Sequence, residues 1–364
     1  MKKFILNTSI FVVPFLILYT INVFNFDQRG AEGDLARMGY FYSNPSPSSL
    51  INNQYNLAKQ YTLLSEIKPS SKVKVDVMTI GDSFSEQKNL GYKNFLANMG
   101  PSVIHVDRTI SGRNPIQTLV SLMNSDLFEF VKPDFVVVQS IERDINSRTQ
   151  SIDFDARLES IDFYKPTTSE RISVNDIANE NNIQTNNLQF FSDATLKMPL
   201  NFLQYLFLDK PLTSNTYKVE STRKDLFTND PGNLLFYKND LRKLEAKNDS
   251  LRTLNSIKVL NELASLLSQK NIELIVLISP DKFDLYYPYI KEKSNFMKPT
   301  FFSTYEYAEK KYKNVDTYRV LSDKITEERD VYYYDDTHWS PKGAKFVAEE
   351  IYSLMGKEKR EDEH

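Results

Sequence analysis

The chain has 364 residues, of which 41% are hydrophobic and 26% are charged, and its formal net charge is −3. That length suits one large domain or two smaller ones. The near-neutral balance gives no reason to expect nucleic-acid binding, which usually shows a basic surplus. The absence of cysteine excludes disulfides, thiolate metal sites and a cysteine nucleophile.

The first segment predicts a membrane anchor over residues 1–25. Lys2 and Lys3 precede a mostly apolar run at residues 4–24, close to the ~20 residues that cross a bilayer as a helix. The positive charge on the N-terminal side places the remainder outside the cytoplasm. A cleaved signal peptide is the alternative, but it would have a shorter core and an Ala-x-Ala-like exit, which is absent here. We therefore expect an uncleaved single-pass anchor with a periplasmic or extracellular domain.

After a polar stretch at residues 26–71, which predicts a stalk or linker, strand and helix patterns alternate. Strands are predicted at 73–80, 102–106, 134–139, 272–278 and 315–320, and helices begin at Pro115, near residue 250 and at Pro341. This alternation is typical of an α/β fold, with a parallel sheet flanked by helices on both faces. Functional groups then gather at the carboxyl ends of the strands.

Residues 146–240 interrupt the alternation. They are rich in Asn, Ser, Thr and Asp, with one apolar island at 199–208. A structureless loop of that length is improbable in a compact domain. We predict an insertion with its own helices, serving either as a lid or partner surface or as an elaboration without a direct role. The main domain would then comprise residues 72–145 and 241–356, followed by a charged tail at 357–364.

Two short motifs supply the groups that acyl transfer through serine requires. Gly-Asp-Ser at 81–83 ends the first predicted strand, and Asp-Asp-Thr-His-Trp at 335–339 precedes the last helix. A serine hydroxyl needs a base to remove its proton, usually a histidine held by a carboxylate. We predict Ser83 as the nucleophile and His338 as the base, with Asp335 or Asp336 orienting the imidazole.

The other two histidines are less suitable. His105 lies inside a strand pattern and is interpreted as structural, and His364 ends the charged tail. No cluster of His, Asp and Glu in the folded part has metal-ligand spacing, so neither a metal nor another cofactor is expected.

These motifs resemble those of a known family. Gly-Asp-Ser-Phe at 81–84 resembles the first block of SGNH (GDSL-type) hydrolases, the segment at 109–114 is similar to their second block, and Asp-x-x-His at 335–338 to their last. Asp-Thr-His-Trp at 336–339, followed by Pro-Lys-Gly-Ala at 341–344, is more similar to the periplasmic alginate O-acetylation proteins. The resemblance implies an SGNH-like parallel sheet and an acyl-serine intermediate.

The chain departs from both patterns in one respect each. The alginate proteins carry the Asp-Thr-His-Trp block before the serine block, whereas here the serine comes first. The third SGNH block, Gly-x-Asn-Asp, is absent, and the sequence at 139–144 replaces it.

The resemblance also implies residues around the reacting groups. The backbone N–H groups of Ser83 and Gly112 would form the oxyanion hole, unless Gly112 is an ordinary turn glycine. The donor that the absent third block would supply has three candidates: Asn114, Gln139 and Arg143, of which Arg143 is also interpreted as a structural or substrate-orienting residue. Lys282 lies in a strand-end segment like one in the alginate proteins, and the resemblance therefore implies a substrate-binding role for it.

Trp339, the single tryptophan, has two interpretations. It is either a sugar-stacking wall or a buried packing residue.

The expected activity is O-acylation, with acetylation of a cell-surface or exported polysaccharide as the leading reading. Acetyl-CoA is absent outside the cytoplasm, so a multi-spanning membrane acyltransferase would deliver the acyl group, as the resemblance implies. One alternative is a carbohydrate esterase or lipase-like hydrolase with the same triad. Another is a non-catalytic SGNH scaffold that binds glycan.

Overall fold

The computed structural model describes residues 1–27, 33–35, 40–41, 47–67, 72–159, 200–207 without 202 and 206, 215–228 and 232–356. The predicted charged tail at 357–364, with His364, and residues 160–199 of the predicted insertion lie outside the described residues.

The strands form one parallel sheet and two small antiparallel pairs. In chain order they are β1 Phe26–Asp27, β2 Tyr40–Phe41, β3 Thr62–Leu63, β4 Val73–Ile80, β5 Val103–Val106, β6 Val131–Ile141, β7 Thr216–Glu220, β8 Asn233–Tyr237, β9 Glu273–Ser279 and β10 Lys313–Val315. The main sheet has the order β10-β9-β6-β4-β5-β3, and all its pairings are parallel. β1 pairs with β2 and β7 with β8 in antiparallel fashion.

Helices connect and cover these strands. They are α1 Lys2–Asn25, α2 Pro47–Asn52, α3 Tyr92–Asn98, α4 Arg108–Ser111, α5 Pro115–Met123, α6 Leu127–Phe130, α7 Glu142–Gln150, α8 Lys238–Arg242, α9 Leu244–Lys247, α10 Ser250–Ser268, α11 Lys282–Tyr286, α12 Phe301–Tyr307, α13 Thr317–Glu327 and α14 Pro341–Leu354. Short 3₁₀ turns occur at Leu64–Glu66, Ser83–Ser85, Lys88–Leu90, Tyr287–Tyr289 and Lys293–Asn295. Described residues between 200 and 207 are also helical.

The central strands are apolar because both faces of the sheet are covered. Successive residues of a strand point to opposite faces, so Val77 and Leu277 enter one core and their neighbours Met78 and Val276 enter the other. Helix α14 packs in the first core and α10 in the second. The predicted α/β fold with a parallel sheet flanked by helices is confirmed.

One predicted strand was partly wrong. Of residues 315–320, only Val315 belongs to a strand, β10, and α13 begins at Thr317. The Asp316 carboxylate accepts a hydrogen bond from the N–H of Arg319 and so caps this helix. Leu321 is buried on its inner face.

The predicted stalk and the predicted insertion both contain strands that the sequence did not indicate. Within the predicted stalk at 26–71, β3 joins the edge of the main sheet beside β5, and Leu64 is fully buried. The described part of the predicted insertion contains both strands of an antiparallel pair, β7 and β8, as well as the helical residues that were expected there.

Helix α1 satisfies the requirements for a membrane span. Residues Lys2–Thr20 have a mean hydropathy of 1.6, and none of this window is buried against the rest of the protein. A membrane anchor and a signal sequence both have this character.

Candidate active site

The turn that carries Ser83 begins where β4 ends. Gly81 follows the strand, and a Cβ atom there would lie 1.9 Å from Ser85 Oγ, so only glycine fits. Asp82 caps the 3₁₀ turn Ser83–Ser85, because its carboxylate accepts the N–H of Phe84 at 3.1 Å. The turn holds Ser83, partly exposed, at the carboxyl end of the sheet.

Asp82 also ties the turn to the neighbouring strand. Its Oδ2 accepts the N–H of Ile141 at 2.8 Å and the Arg148 guanidinium at 2.6 Å. Burial would raise the pKa of Asp82, but the charge and hydrogen bonds of Arg148 outweigh it and lower the pKa. Arg148 was missed in the sequence because it lies in α7, far from both motifs along the chain.

Ser83, His338 and Asp336 form a continuous hydrogen-bonded line. Ser83 Oγ lies 2.8 Å from His338 Nε2, and His338 Nδ1 lies 2.6 Å from Asp336 Oδ1. The same carboxylate oxygen accepts the His338 backbone N–H at 2.8 Å. This is the geometry in which a carboxylate fixes the imidazole and leaves Nε2 free to take a proton from serine.

The electrostatics of the pair suit a base. Burial alone would lower the pKa of His338, but the charge and hydrogen bond of Asp336 outweigh burial and raise it. Burial would raise the pKa of Asp336, and its interactions with His338 lower it instead. The carboxylate is therefore charged when the imidazole takes up a proton.

The two aspartates of the histidine motif have different positions. Asp336 contacts the imidazole, whereas the Asp335 side chain is fully buried and makes no described hydrogen bond to His338. The carbonyl of Asp335 instead accepts the N–H of Leu35 at 3.0 Å. Of the two carboxylates that the sequence left open, the structure places Asp336 at the histidine.

Asp34 supports the histidine loop from the N-terminal segment. Its carboxylate accepts the N–H and the hydroxyl of Thr337 at 2.8 and 2.7 Å. Burial and the nearby charge of Asp336 raise the pKa of Asp34. Sequence reasoning missed Asp34 because it lies within the predicted stalk, about 300 residues before its partner.

Lys282, the first residue of α11, supports the same loop from outside it. It is fully buried, and its Nζ donates to the carbonyls of Tyr333 and Tyr334 at 2.6 Å each and of Asp336 at 3.2 Å. Burial lowers the pKa of Lys282 to about 8. The expected substrate-binding role of Lys282 is not supported, because its ammonium group is enclosed by these carbonyls.

Of the two interpretations of Trp339, the structure supports the buried packing residue. It is fully buried, and its ring meets that of Phe84 edge to face with centroids 4.7 Å apart. The Phe84 ring lies 4.6 Å from the His338 ring. Trp339 therefore packs against the turn and the motif that carry Ser83 and His338, and it presents no wall to a sugar.

The side chains of Gln139 and Asn114 bind other groups of the protein and not a substrate oxygen. Gln139 is fully buried. Its Oε1 accepts from the Asp82 N–H at 2.8 Å and its Nε2 donates to Ser279 Oγ at 3.0 Å. Asn114 caps α5 and donates to the Arg148 carbonyl at 3.1 Å. Both side-chain amides are occupied, which argues against either as an oxyanion donor.

Gly112 ends α4 with a φ of +54°, a conformation that favours glycine, and it is exposed. Arg108 and Arg113 lie on either side of it and line a cleft of about 360 Å³ that contains Ser83. Gly112 thus lies on a segment that borders the cleft, where the resemblance expects its N–H.

The cleft is lined by charged side chains. Its walls comprise Asp82, Ser83, Arg108, Arg113, Ile141, Arg143, Asp144, Ser147 and Arg148. Arg143 pairs with Asp240 at 3.1 Å and Asp281 at 2.7 Å, which makes it structural at one end of its guanidinium. Among described residues, Arg108 and Arg113 form no ion pair, and both are exposed.

Behind the cleft lies a buried ionic network, which we name the Lys247 cluster. It consists of Glu142, Arg143, Asp240, Lys247, Asp281 and Asp284. Lys247 Nζ lies 3.1, 2.6 and 2.6 Å from carboxylate oxygens of Glu142, Asp281 and Asp284. Those three carboxylates have metal-ligand spacing, but the lysine ammonium occupies their centre.

A second group with ligand spacing is Asp34, Asp336 and His338. Asp336 and His338 bind each other, and Asp34 binds Thr337. These bonds engage the atoms that a metal would need.

The comparisons with known proteins agree with the fold. Residues 233–363 match the family model described as SGNH hydrolase-like domain, acetyltransferase AlgX. The match confirms the resemblance to SGNH hydrolases and to the alginate O-acetylation proteins. It includes Asp336 and His338 but not Ser83, so the structure alone places the serine at the histidine. Neither a curated protein nor a solved structure matches the chain.

Proposed function

We propose that this chain is a membrane-anchored, extracytoplasmic O-acyltransferase that moves an acetyl group onto a polysaccharide hydroxyl through an acyl-serine intermediate. The observation that carries the proposal is the line from Ser83 Oγ through the His338 imidazole to Asp336, with spacings of 2.8 and 2.6 Å. The match to the AlgX-type domain supports acetyl transfer as the reaction.

In the first half-reaction, Ser83 Oγ attacks the carbonyl carbon of the acyl donor while His338 Nε2 takes its proton. Asp336 stabilises the imidazolium through Nδ1–H. The N–H groups of Ser83 and Gly112 would bind the oxyanion. When the tetrahedral intermediate collapses, the leaving group receives the proton from Nε2–H, and the acyl group stays on Ser83.

In the second half-reaction, His338 takes a proton from the acceptor hydroxyl, whose oxygen attacks the acyl-serine carbonyl. The intermediate collapses to the sugar ester, and Nε2–H returns a proton to Ser83 Oγ. Water in place of the sugar would give hydrolysis by the same steps, so access of the acceptor decides between the two.

The cleft favours an acceptor that carries negative charge. Arg108 and Arg113 extend positive groups into the cleft beside Ser83 without a described ion pair. Exposed arginines bind carboxylate and phosphate groups through bidentate hydrogen bonds. Acetyl groups would reach Ser83 from a multi-spanning membrane acyltransferase, because the anchor α1 would hold the domain next to such a partner.

The test measures where the acetyl group goes. Purified full-length protein receives an activated acetyl ester and a panel of neutral and acidic oligosaccharides, and acetylated sugar and free acetate are quantified. We expect sugar ester to form faster than acetate at saturating acceptor, with acidic oligosaccharides preferred. If water remains the preferred acceptor across the panel, the hydrolase alternative replaces transfer.

A matched pair of variants ties both products to the site. Ser83→Ala should abolish ester and acetate together, because no acyl-enzyme forms. Ser147→Ala removes a hydroxyl that lines the same cleft but donates to the backbone carbonyl of Asp144 and not to His338, and it should keep both products. Full activity of Ser83→Ala would show that the site is misassigned.

A further inference from the structure

Among the described helical residues between 200 and 207, three apolar side chains are exposed to solvent. Leu200, Leu203 and Phe207 are 56%, 42% and 75% exposed. Residues three and seven positions apart lie on one side of a helix. Contiguous exposed apolar side chains mark an interaction surface for another molecule or a membrane.

The opposite side of this helix contacts the loop that leads to His338. Asn201 is buried, and the Tyr205 hydroxyl hydrogen-bonds the hydroxyl of Tyr334, four residues before His338. Lys218 of β7 places its Nζ 4.4 Å from the centre of the Tyr205 ring. The apolar face therefore points away from the domain on the side where the histidine motif lies.

The chain also enters the domain at this loop. Leu35 donates its N–H to the Asp335 carbonyl and accepts the Thr216 hydroxyl of β7 at its own carbonyl. A Cβ on Gly33 would lie 2.5 Å from the Asp335 carbonyl oxygen, so the two backbones are in close contact. The N-terminal segment, the hairpin and the 200–207 helix thus share one side of the molecule.

The connection between the anchor and this contact is short. Gly33 is eight residues beyond Asn25, where α1 ends, and eight residues span at most about 28 Å when fully extended. With α1 in a bilayer, the histidine loop therefore lies within that distance of the end of the anchor. The apolar face is carried by the element packed on this loop.

We propose that Leu200, Leu203 and Phe207 insert into the interfacial region of the membrane that holds α1. Helices with one apolar face lie in this region with that face toward the acyl chains. The consequence is a second point of membrane attachment, which fixes the orientation of Ser83 and His338 relative to the bilayer. This proposal rests on α1 being a retained anchor, as in the proposed function.

The experiment uses the cysteine-free chain as a background for site-specific labelling. Full-length Leu203→Cys protein carries a fluorophore and is reconstituted into vesicles of phosphatidylethanolamine and phosphatidylglycerol with nitroxide-labelled lipid as quencher. The control is Leu254→Cys in α10, because Leu254 is a helical leucine of similar exposure, 38% against 42%. We expect several-fold stronger lipid quenching at position 203 than at position 254.

A second comparison tests whether the face acts as a unit. In the labelled Leu203→Cys protein, Leu200→Ser with Phe207→Ser should reduce the quenching markedly, whereas Leu251→Ser on α10 should not. Equal quenching at positions 203 and 254, or none at 203, would overturn the proposal. So would a label at 203 that is shielded from lipid and becomes more shielded as the density of the protein rises, because a second copy would then cover the face.

This test does not depend on catalysis. The lipid contact should be the same when Ser83→Ala is added, so a failed acyl-transfer proposal would leave the quenching intact. If the labelled Leu203→Cys protein showed no lipid quenching but kept its transfer activity, the membrane contact would be rejected and the acyl-transfer proposal would stand.

Discussion

The Ser83 site and the Lys247 cluster both gather charge at the carboxyl ends of neighbouring parallel strands, but they differ in access to solvent. The His338 and Asp336 side chains are 21% and 19% exposed, and Ser83 lines an open cleft. In the Lys247 cluster, the Lys247 side chain is 2% exposed and those of its three carboxylate partners 0–1%. Chemistry requires the first arrangement, because a substrate must reach the reacting oxygen.

The second arrangement stabilises the architecture around the first. Glu142 begins α7 directly after β6, and Asp281 follows β9 and accepts no substrate because its carboxylate binds Arg143 and Lys247. Burial, together with the neighbouring carboxylates, raises the pKa of Glu142 and of Asp240. A cluster of carboxylates with shifted pKa values beside a cleft is therefore not by itself evidence of a reactive site.

The largest effect on activity is expected from a change of Asp336, whose carboxylate binds the His338 imidazole. Asp336→Asn removes the charge that stabilises the imidazolium and favours the wrong tautomer, so kcat should fall by about 10²- to 10⁴-fold. Steady-state hydrolysis of a small acetyl ester measures it. Asp335→Asn is the matched control and should cost far less. An equal loss in both variants, with both folded, would contradict the assignment of Asp336.

A change in the Lys247 cluster should mainly affect stability. Lys247→Met leaves buried carboxylates without their shared cation, which costs about 3–5 kcal/mol for a broken buried pair. Urea unfolding of the full chain measures the free energy of unfolding. The control is Lys243→Met, which breaks a partly exposed pair with Asp144 and should cost about 0–1 kcal/mol. Similar unfolding free energies for the two variants would remove the distinction between the regions.

The smallest effect expected is a shift in pH dependence. His338 acts as a base only when neutral, and its pKa is raised above the ordinary 6.5. The acidic limb of kcat/KM should therefore have its midpoint above 6.5, with activity lost as the pH falls through it. In Asp336→Asn the principal cause that raises the pKa is gone, and the midpoint of the residual activity should move to lower pH.

The same pair contributes to stability with the opposite pH trend. Because the folded pKa of His338 is raised, its contribution is fully present below the unfolded pKa and is lost as the pH rises through the folded pKa. A midpoint of the acidic limb that is unchanged in Asp336→Asn would show that Asp336 does not set the charge state of His338.

The elements with strong local patterns could be predicted from the sequence. β9 is a nearly continuous apolar run, and the apolar residues of β4 alternate with Lys74 and Asp76 before its buried end, as expected for a sheet covered on both faces. Ser83 and His338 lie in motifs attached to strand and helix boundaries. The sequence did not show whether Asp335 or Asp336 binds the imidazole. The two residues are adjacent, and only the backbone path of the loop decides which carboxylate faces the ring.

Long-range contacts were beyond the sequence. Asp34 reaches Thr337, and Arg148 reaches Asp82, across many residues that carry no motif. Gln139 was one of three candidate oxyanion donors because it lies in the segment that replaces a family block, but its buried amide binds Asp82 and Ser279. Such assignments depend on which polar groups burial leaves unpaired, and that follows from packing.

The proposed mechanism requires Ser83 to carry the acyl group. The direct measurement is mass spectrometry of full-length protein mixed briefly with an activated acetyl ester and quenched in acid, followed by peptide mapping. We expect one added acetyl group on the peptide that contains Ser83. This acetyl group should disappear when an acceptor sugar is supplied, and it should be absent in Ser83→Ala. An acetyl group found on another residue, or turnover with no acetylated Ser83 at any time, would contradict it.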